Sequence, residues 1–126
     1  MVIALNDGNA ANKKFQKELN SGTVALVLLG VLARATEPMY GYQITKLLEG
    51  GRDNVRMMKQ GALYPVLRSL ENSGLLKSEV EPSVSGPPRR YYTITDIGRE
   101  TLERWAELWN QTKTFVDDTL KGIYDV

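Results

Sequence analysis

Six side chains have the types and placement to read a nucleic acid: Gln60, Tyr64, Arg68 and Ser69 within one helical stretch, and Arg89 and Arg90 further along. A guanidinium forks onto phosphate or a base edge, and amide, hydroxyl and phenol groups complete such contacts. A second kind of chemistry, stacking on a flat aromatic molecule, is open to Trp105, Trp109 and Phe115. The chain has neither cysteine nor histidine, which removes disulfides, thiolate nucleophiles, catalytic imidazoles and the usual zinc sites together. It also has no glycine loop that would cradle a phosphate. No catalytic residue, metal ligand or cofactor is therefore expected, and an enzyme is the least favoured class.

The candidate DNA contacts need elements to hold them. Leu63, Val66, Leu67 and Leu70 recur at helical spacing and face a core, which leaves Gln60, Tyr64, Arg68 and Ser69 on the other side. Pro65 has no N–H, so this helix begins close to Gly61 or bends there, and Gly74 stops it. Leu76, Ser78 and Val80 then alternate with Lys77, Glu79 and Glu81 as in a half-buried strand, and Pro82 to Pro88 turn the chain. Arg89 to Ile94 return as a second strand, with Tyr91 and Tyr92 on opposite faces, so that at least one belongs to the core. Helix, stop, strand, Pro/Gly tip with two arginines, strand: this order outlines a winged helix-turn-helix.

Upstream, a helix from near Lys13 or Ser21 to Ala35 is apolar on most sides, and Met1 to about Ala11 reads as a tail. A second helix, Gly41 to Glu49, carries Tyr42, Ile44, Leu47 and Leu48 inward, with Tyr40 and Tyr42 structural, and the segment from Gly50 to Asn54 closes it. Downstream, Thr95 is an N-cap, and Gly98 stands where a capping box would need an acid. Leu102, Trp105, Trp109, Thr112, Val116, Thr119 and Ile123 then form an apolar stripe on a helix of ~36 Å. One small domain cannot cover that length, so a second copy is expected to. The fold class expected is mainly α with a small β-wing, divided into an N-terminal tail or arm at 1–20, a winged helix-turn-helix at 21–95 and a C-terminal dimerisation helix at 96–126.

In 126 residues with 42% apolar content, one modest core is expected. The net charge is only +1, yet Gly41–Thr95 holds eight Lys/Arg against five Asp/Glu, and Asp96–Val126 four against seven. That segregation suits one end touching phosphate, although a fluctuation of this size decides nothing alone. The apolar run Thr23 to Ala33 has about half the ~20 residues that a bilayer span needs, and no signal-peptide pattern is present, so no membrane association and a cytoplasmic location are expected.

Four ordered motifs carry a resemblance to a known family: Gly41-Tyr42-Gln43-Ile44, Gly61 to Leu67, Leu70 to Leu75, and Arg89 to Arg99. They are similar to the successive motifs of the PadR family of bacterial transcriptional regulators, over roughly Ser21 to Leu120. The single C-terminal helix is similar to the short subfamily. The resemblance implies a winged-helix repressor that binds a palindromic double-stranded DNA operator as a homodimer joined through its C-terminal helix. It also places Tyr64 at the DNA face. Trp109 aligns with a tryptophan that, in some short-subfamily members, lines a pocket for flat aromatic compounds between protomers.

Each feature has a plainer reading. Tyr64 and Arg68 could be solvated surface, Arg89 and Arg90 solvated turn charges, and the two tryptophans packing residues; for the tryptophans, pocket and packing stand level. Two other functions stay open: a dimer whose main task is binding a hydrophobic ligand, and a winged-helix protein-interaction module. If the ligand is cationic, Glu107 or Asp117 of the last helix would supply the opposite charge.

Overall fold

Asn9 decides where the first helix begins. Its Oδ1 accepts from the backbone N–H groups of Ala11 at 2.8 Å and Asn12 at 3.3 Å, satisfying donors that a helix start leaves open. In the computed structural model, which describes residues 9–49 and 60–124, helix α1 accordingly spans Ala10–Arg34. It starts earlier than Lys13 or Ser21, and the described part of the expected arm is a continuation of α1. Residues 1–8, and the Gly50 to Asn54 segment read as closing the second helix, lie outside the described residues.

The remaining elements are β1 (Met39–Tyr40), α2 (Gly41–Glu49), α3 (Gln60–Asn72), β2 (Leu76–Glu81), β3 (Arg89–Ile94) and α4 (Asp96–Leu120). The fold class is as expected, mostly helical with a small antiparallel sheet, here of three strands in the order β1-β3-β2. The short strand β1 went unread. It pairs Met39 with Tyr92 and Tyr40 with Tyr91, and two residues carry no alternation for a sequence pattern to reveal.

The core is built from Val24, Leu28, Leu29 and Leu32 of α1, Ile44 and Leu48 of α2, Leu63, Leu67 and Leu70 of α3, and Leu75, Leu76, Tyr92 and Ile94. Tyr92 is thus the tyrosine of its pair that enters the core. The inward face of α2 differs from expectation: Gly41, Ile44, Thr45 and Leu48 are buried, whereas Tyr42 and Leu47 are exposed. Gly41, Ile44, Thr45 and Leu48 form one arc at spacings of three and four, and Tyr42 and Leu47 fall at its two flanks.

Two strict geometries link α3 to the sheet and the sheet to α4. Gly74 adopts φ +81°, its N–H donates to the Glu71 carbonyl at 2.9 Å, and Leu75 N–H donates to the Leu70 carbonyl at 3.0 Å. This is a Schellman stop, completed by burial of both Leu70 and Leu75. Thr95 then caps α4: its Oγ1 accepts from Gly98 N–H at 2.9 Å and donates to the Gly74 carbonyl at 2.7 Å. Gly98 passes so close to the Leu75 carbonyl and Ile94 Cγ1 that a Cβ there would collide with both.

Beyond its first turns α4 leaves the core. Leu102 and Trp105 pack against it in part, but every residue from Ala106 to Thr119 is exposed. Ile123, expected on the apolar stripe, lies past the helix end, after Lys121 as C-cap and Gly122 at φ +86°.

Candidate nucleic-acid interface and interhelical groove

Helix α3 turns Leu63, Leu67 and Leu70 into the core and leaves Tyr64, Arg68 and Ser69 exposed. Gln60 is its first residue, and its side chain lies outside what is described. Pro65 sits inside the helix, at a position where its missing N–H removes one bond to the carbonyl four residues back. Tyr64 packs across the backbone of Gly41, where a Cβ would come within 2.5 Å of the phenol oxygen. Any side chain at position 41 would therefore displace Tyr64, and the start of α2 fixes the tyrosine ring at the edge of the α3 face.

Arg89 and Arg90 are both exposed on β3 but, as strand neighbours, project to opposite faces. The Arg89 guanidinium lies 4.5 Å above the Tyr40 ring centre. Tyr40 in turn stacks on Tyr42, with centroids 6.4 Å apart, and meets Tyr91 edge-on at 5.4 Å. Lys46 Nζ lies 5.4 Å from the Tyr42 ring centre. These tyrosines hold cations in place, which sequence reasoning missed for want of β1, the strand that brings Tyr40 beside β3. Arg90 instead donates from Nη1 to Ser78 Oγ at 2.9 Å, and Ser78 donates to Glu71 Oε2 at 2.7 Å.

One concavity of about 610 Å³ is lined by Tyr40, Tyr42, Tyr64, Arg89 and Arg90 together with Ser85, Pro87 and Pro88 of the β2–β3 turn. Tyr64 of α3 and the two arginines of β3 therefore border the same hollow, although the arginines leave their strand on opposite sides. Beneath it, burial pushes the Tyr92 phenol above its usual pKa; Arg90 and Arg68 oppose the rise, while Glu71 and Tyr64 add to it. Among the described residues Arg68, Arg89 and Arg90 form no ion pair, and no group of three or more metal-ligating side chains comes together.

A second depression, about 450 Å³, runs between α1 and α4 and is lined by Trp105, Trp109, Leu108 and Thr112 on one side and Glu18, Leu19 and Leu26 on the other. Trp105 and Trp109 are brought together there. Phe115 is not part of this lining; it is 73% exposed on a farther turn of α4. Nor do Glu107 and Asp117 line it: Asp117 pairs with Lys113 at 2.9 Å, and the acid on the groove is Glu18, contributed by α1. No helix among the described residues is long and apolar enough to cross a membrane.

Residues 28–104 match the family described as the transcriptional regulator PadR-like family. Among solved structures, a PadR family transcriptional regulator from Eggerthella lenta is 34% identical, with a TM-score of 0.73 over 87% of this chain and 92% of that one. A PadR-like transcriptional regulator from Bacillus cereus is 32% identical, with a TM-score of 0.65 over 83% and 98%. A transcriptional regulator from Clostridium thermocellum is 28% identical, with a TM-score of 0.72 over 82% and 96%.

Proposed function

The chain belongs to the PadR-like family of non-enzymatic, DNA-binding transcriptional regulators, and from that premise we propose that it represses transcription as a cytoplasmic homodimer on a palindromic operator. Residues 21–95 meet the DNA and residues 96–126 pair the two protomers, and residues 10–20, part of α1 and not a separate arm, add Phe15 and Leu19 to that pairing. The observation that carries the DNA reading is the shared concavity of Tyr64 from α3 and Arg89 and Arg90 from β3. With α3 in the major groove, Gln60, Tyr64, Arg68 and Ser69 face base edges and nearby phosphates, and the wing arginines meet the adjacent backbone. Selection of bound duplexes from a random pool tests this. An inverted repeat should be recovered, with half-site centres about ten base pairs apart or a multiple of that; recovery of no preferred sequence would overturn it.

Pairing through α4 and α1 is supported by Leu108, Phe115 and Val116, which stand exposed on α4, and by Phe15 and Leu19 on α1. The groove beside Trp105 and Trp109 suits a flat aromatic effector, with Phe115 near the same interface. Such a molecule releases DNA only if it binds the DNA-incompetent dimer more tightly. Titration of tryptophan fluorescence with planar hydrophobic compounds should show quenching that Trp109→Ala abolishes. Quenching that survives the substitution would return both tryptophans to packing.

A further inference from the structure

Glu71 occupies an electrostatically poor position for an acid. It lies in the last turn of α3, where the helix dipole disfavours negative charge, and it follows Tyr64 and Arg68 at i, i+4 and i+7 on the side turned toward DNA in the reading above. A carboxylate there also repels phosphate. What it does is visible in its contacts: Ser78 of β2 donates to Glu71 Oε2 at 2.7 Å, and Arg90 of β3 donates to Ser78 Oγ at 2.9 Å.

The direction of this chain is forced. A guanidinium only donates and a carboxylate only accepts, so the hydroxyl between them must accept from one and donate to the other. Glu71 and Ser78 are half-buried while Arg90 is exposed, so the two inner members form a fixed base and the cation projects from it. Among the described residues Arg90 is hydrogen-bonded through Nη1 alone, which leaves its other donors for a phosphate. A long side chain held in this way loses less conformational freedom on meeting its target than one that waves freely.

We infer that Glu71, acting through Ser78, is a positioning residue for Arg90, setting the wing cation in register with the recognition helix. This rests on the reading of α3 and the wing as the DNA-facing surface. Arg89 supplies an internal control, because the Tyr40 ring and not the relay holds it. The rival is sequestration, in which Glu71 withholds Arg90 from phosphate. The two differ in sign. Under positioning, removing Arg90 matters less once the relay is broken; under sequestration it matters more.

The test is a set of double-mutant cycles on a mixed-sequence duplex across a salt series, with thermal melting of each full-length variant as a check on folding. Ser78→Ala should weaken binding about 2- to 10-fold, the scale of ordering one long side chain. Ser78→Thr, which keeps the hydroxyl, should restore it. Arg90→Ala should cause a smaller loss in the Ser78→Ala and Glu71→Ala backgrounds than in the unaltered protein, whereas Arg89→Ala should cause the same loss in all of them. Equal or larger losses from Arg90→Ala in the relay-broken backgrounds would overturn the inference and leave the DNA reading intact. Absence of any salt-dependent binding by the unaltered protein would overturn both.

Discussion

Arg89 and Arg90 are adjacent in sequence and opposite in space, one resting on an aromatic ring and the other on a hydroxyl. If each meets a phosphate, replacing both with alanine should weaken binding to every duplex and flatten the dependence of log affinity on log salt by about two units. An unchanged slope would remove the wing from the interface. The frames themselves were not legible. Ser78 looks like one more residue of an alternating strand, and only the pairing of Ser78 opposite Tyr92, with Arg90 two pairs along and so on the same face, brings it beneath the guanidinium. Tyr92 offers an independent check of the local packing. Its phenol is pushed above the usual value of about 10, chiefly by burial, so the fold favours the neutral form. The resulting stability is fully present below the ordinary pKa and lost as pH rises through the folded one. Urea unfolding above about pH 10 should therefore show a steeper decline for the unaltered protein than for Tyr92→Phe; equal slopes would refute it.

The elements rest on a few strict positions. Thr95 caps α4 and ties it to the Gly74 carbonyl, so Thr95→Ala should lose about 1–2 kcal/mol, read as a lower urea midpoint with an unchanged m-value. Gly98→Ala places a methyl against the Leu75 carbonyl and Ile94 and should lose about 1–3 kcal/mol or more, because backbone cannot rotate aside. A neutral outcome at Gly98 would mean that α4 does not approach the sheet this closely. The Thr95 cap and the Gly74 stop could be read from sequence because each depends on residues a few positions apart. The inward face of α2 could not. Tyr42, Ile44, Leu47 and Leu48 are all apolar within nine residues, and what selects Ile44 and Leu48 is the position of α3 beside them.

Over the whole molecule, the balance of burial is lopsided: one end packs a leucine-rich core, and the other extends α4 with Leu108, Phe115 and Val116 uncovered. If a second copy covers them, Val116→Glu should convert a dimer to a monomer in sedimentation while leaving helicity and melting of the winged domain nearly unchanged, since Val116 makes no part of the core. A dimer that persists unaltered would remove this turn of α4 from the interface. In the dimer the two recognition helices should lie about 34 Å apart, one turn of DNA.

By itself the sequence determined the order of the four helices and the two wing strands, the core face of α3, the cap and stop that frame the wing, and the family, because periodicity, capping and turn chemistry act over a few residues and survive as pattern. It did not determine which of two apolar faces α2 buries, that Tyr40 forms a strand, that Glu18 and not Glu107 or Asp117 faces the tryptophans, or that Phe115 stands apart from them. Those are relations between elements distant in the chain. They are fixed only when α1 and α4 cross and β1 joins β3, because contact across a fold depends on where backbones come together and not on the spacing of residues along any one of them.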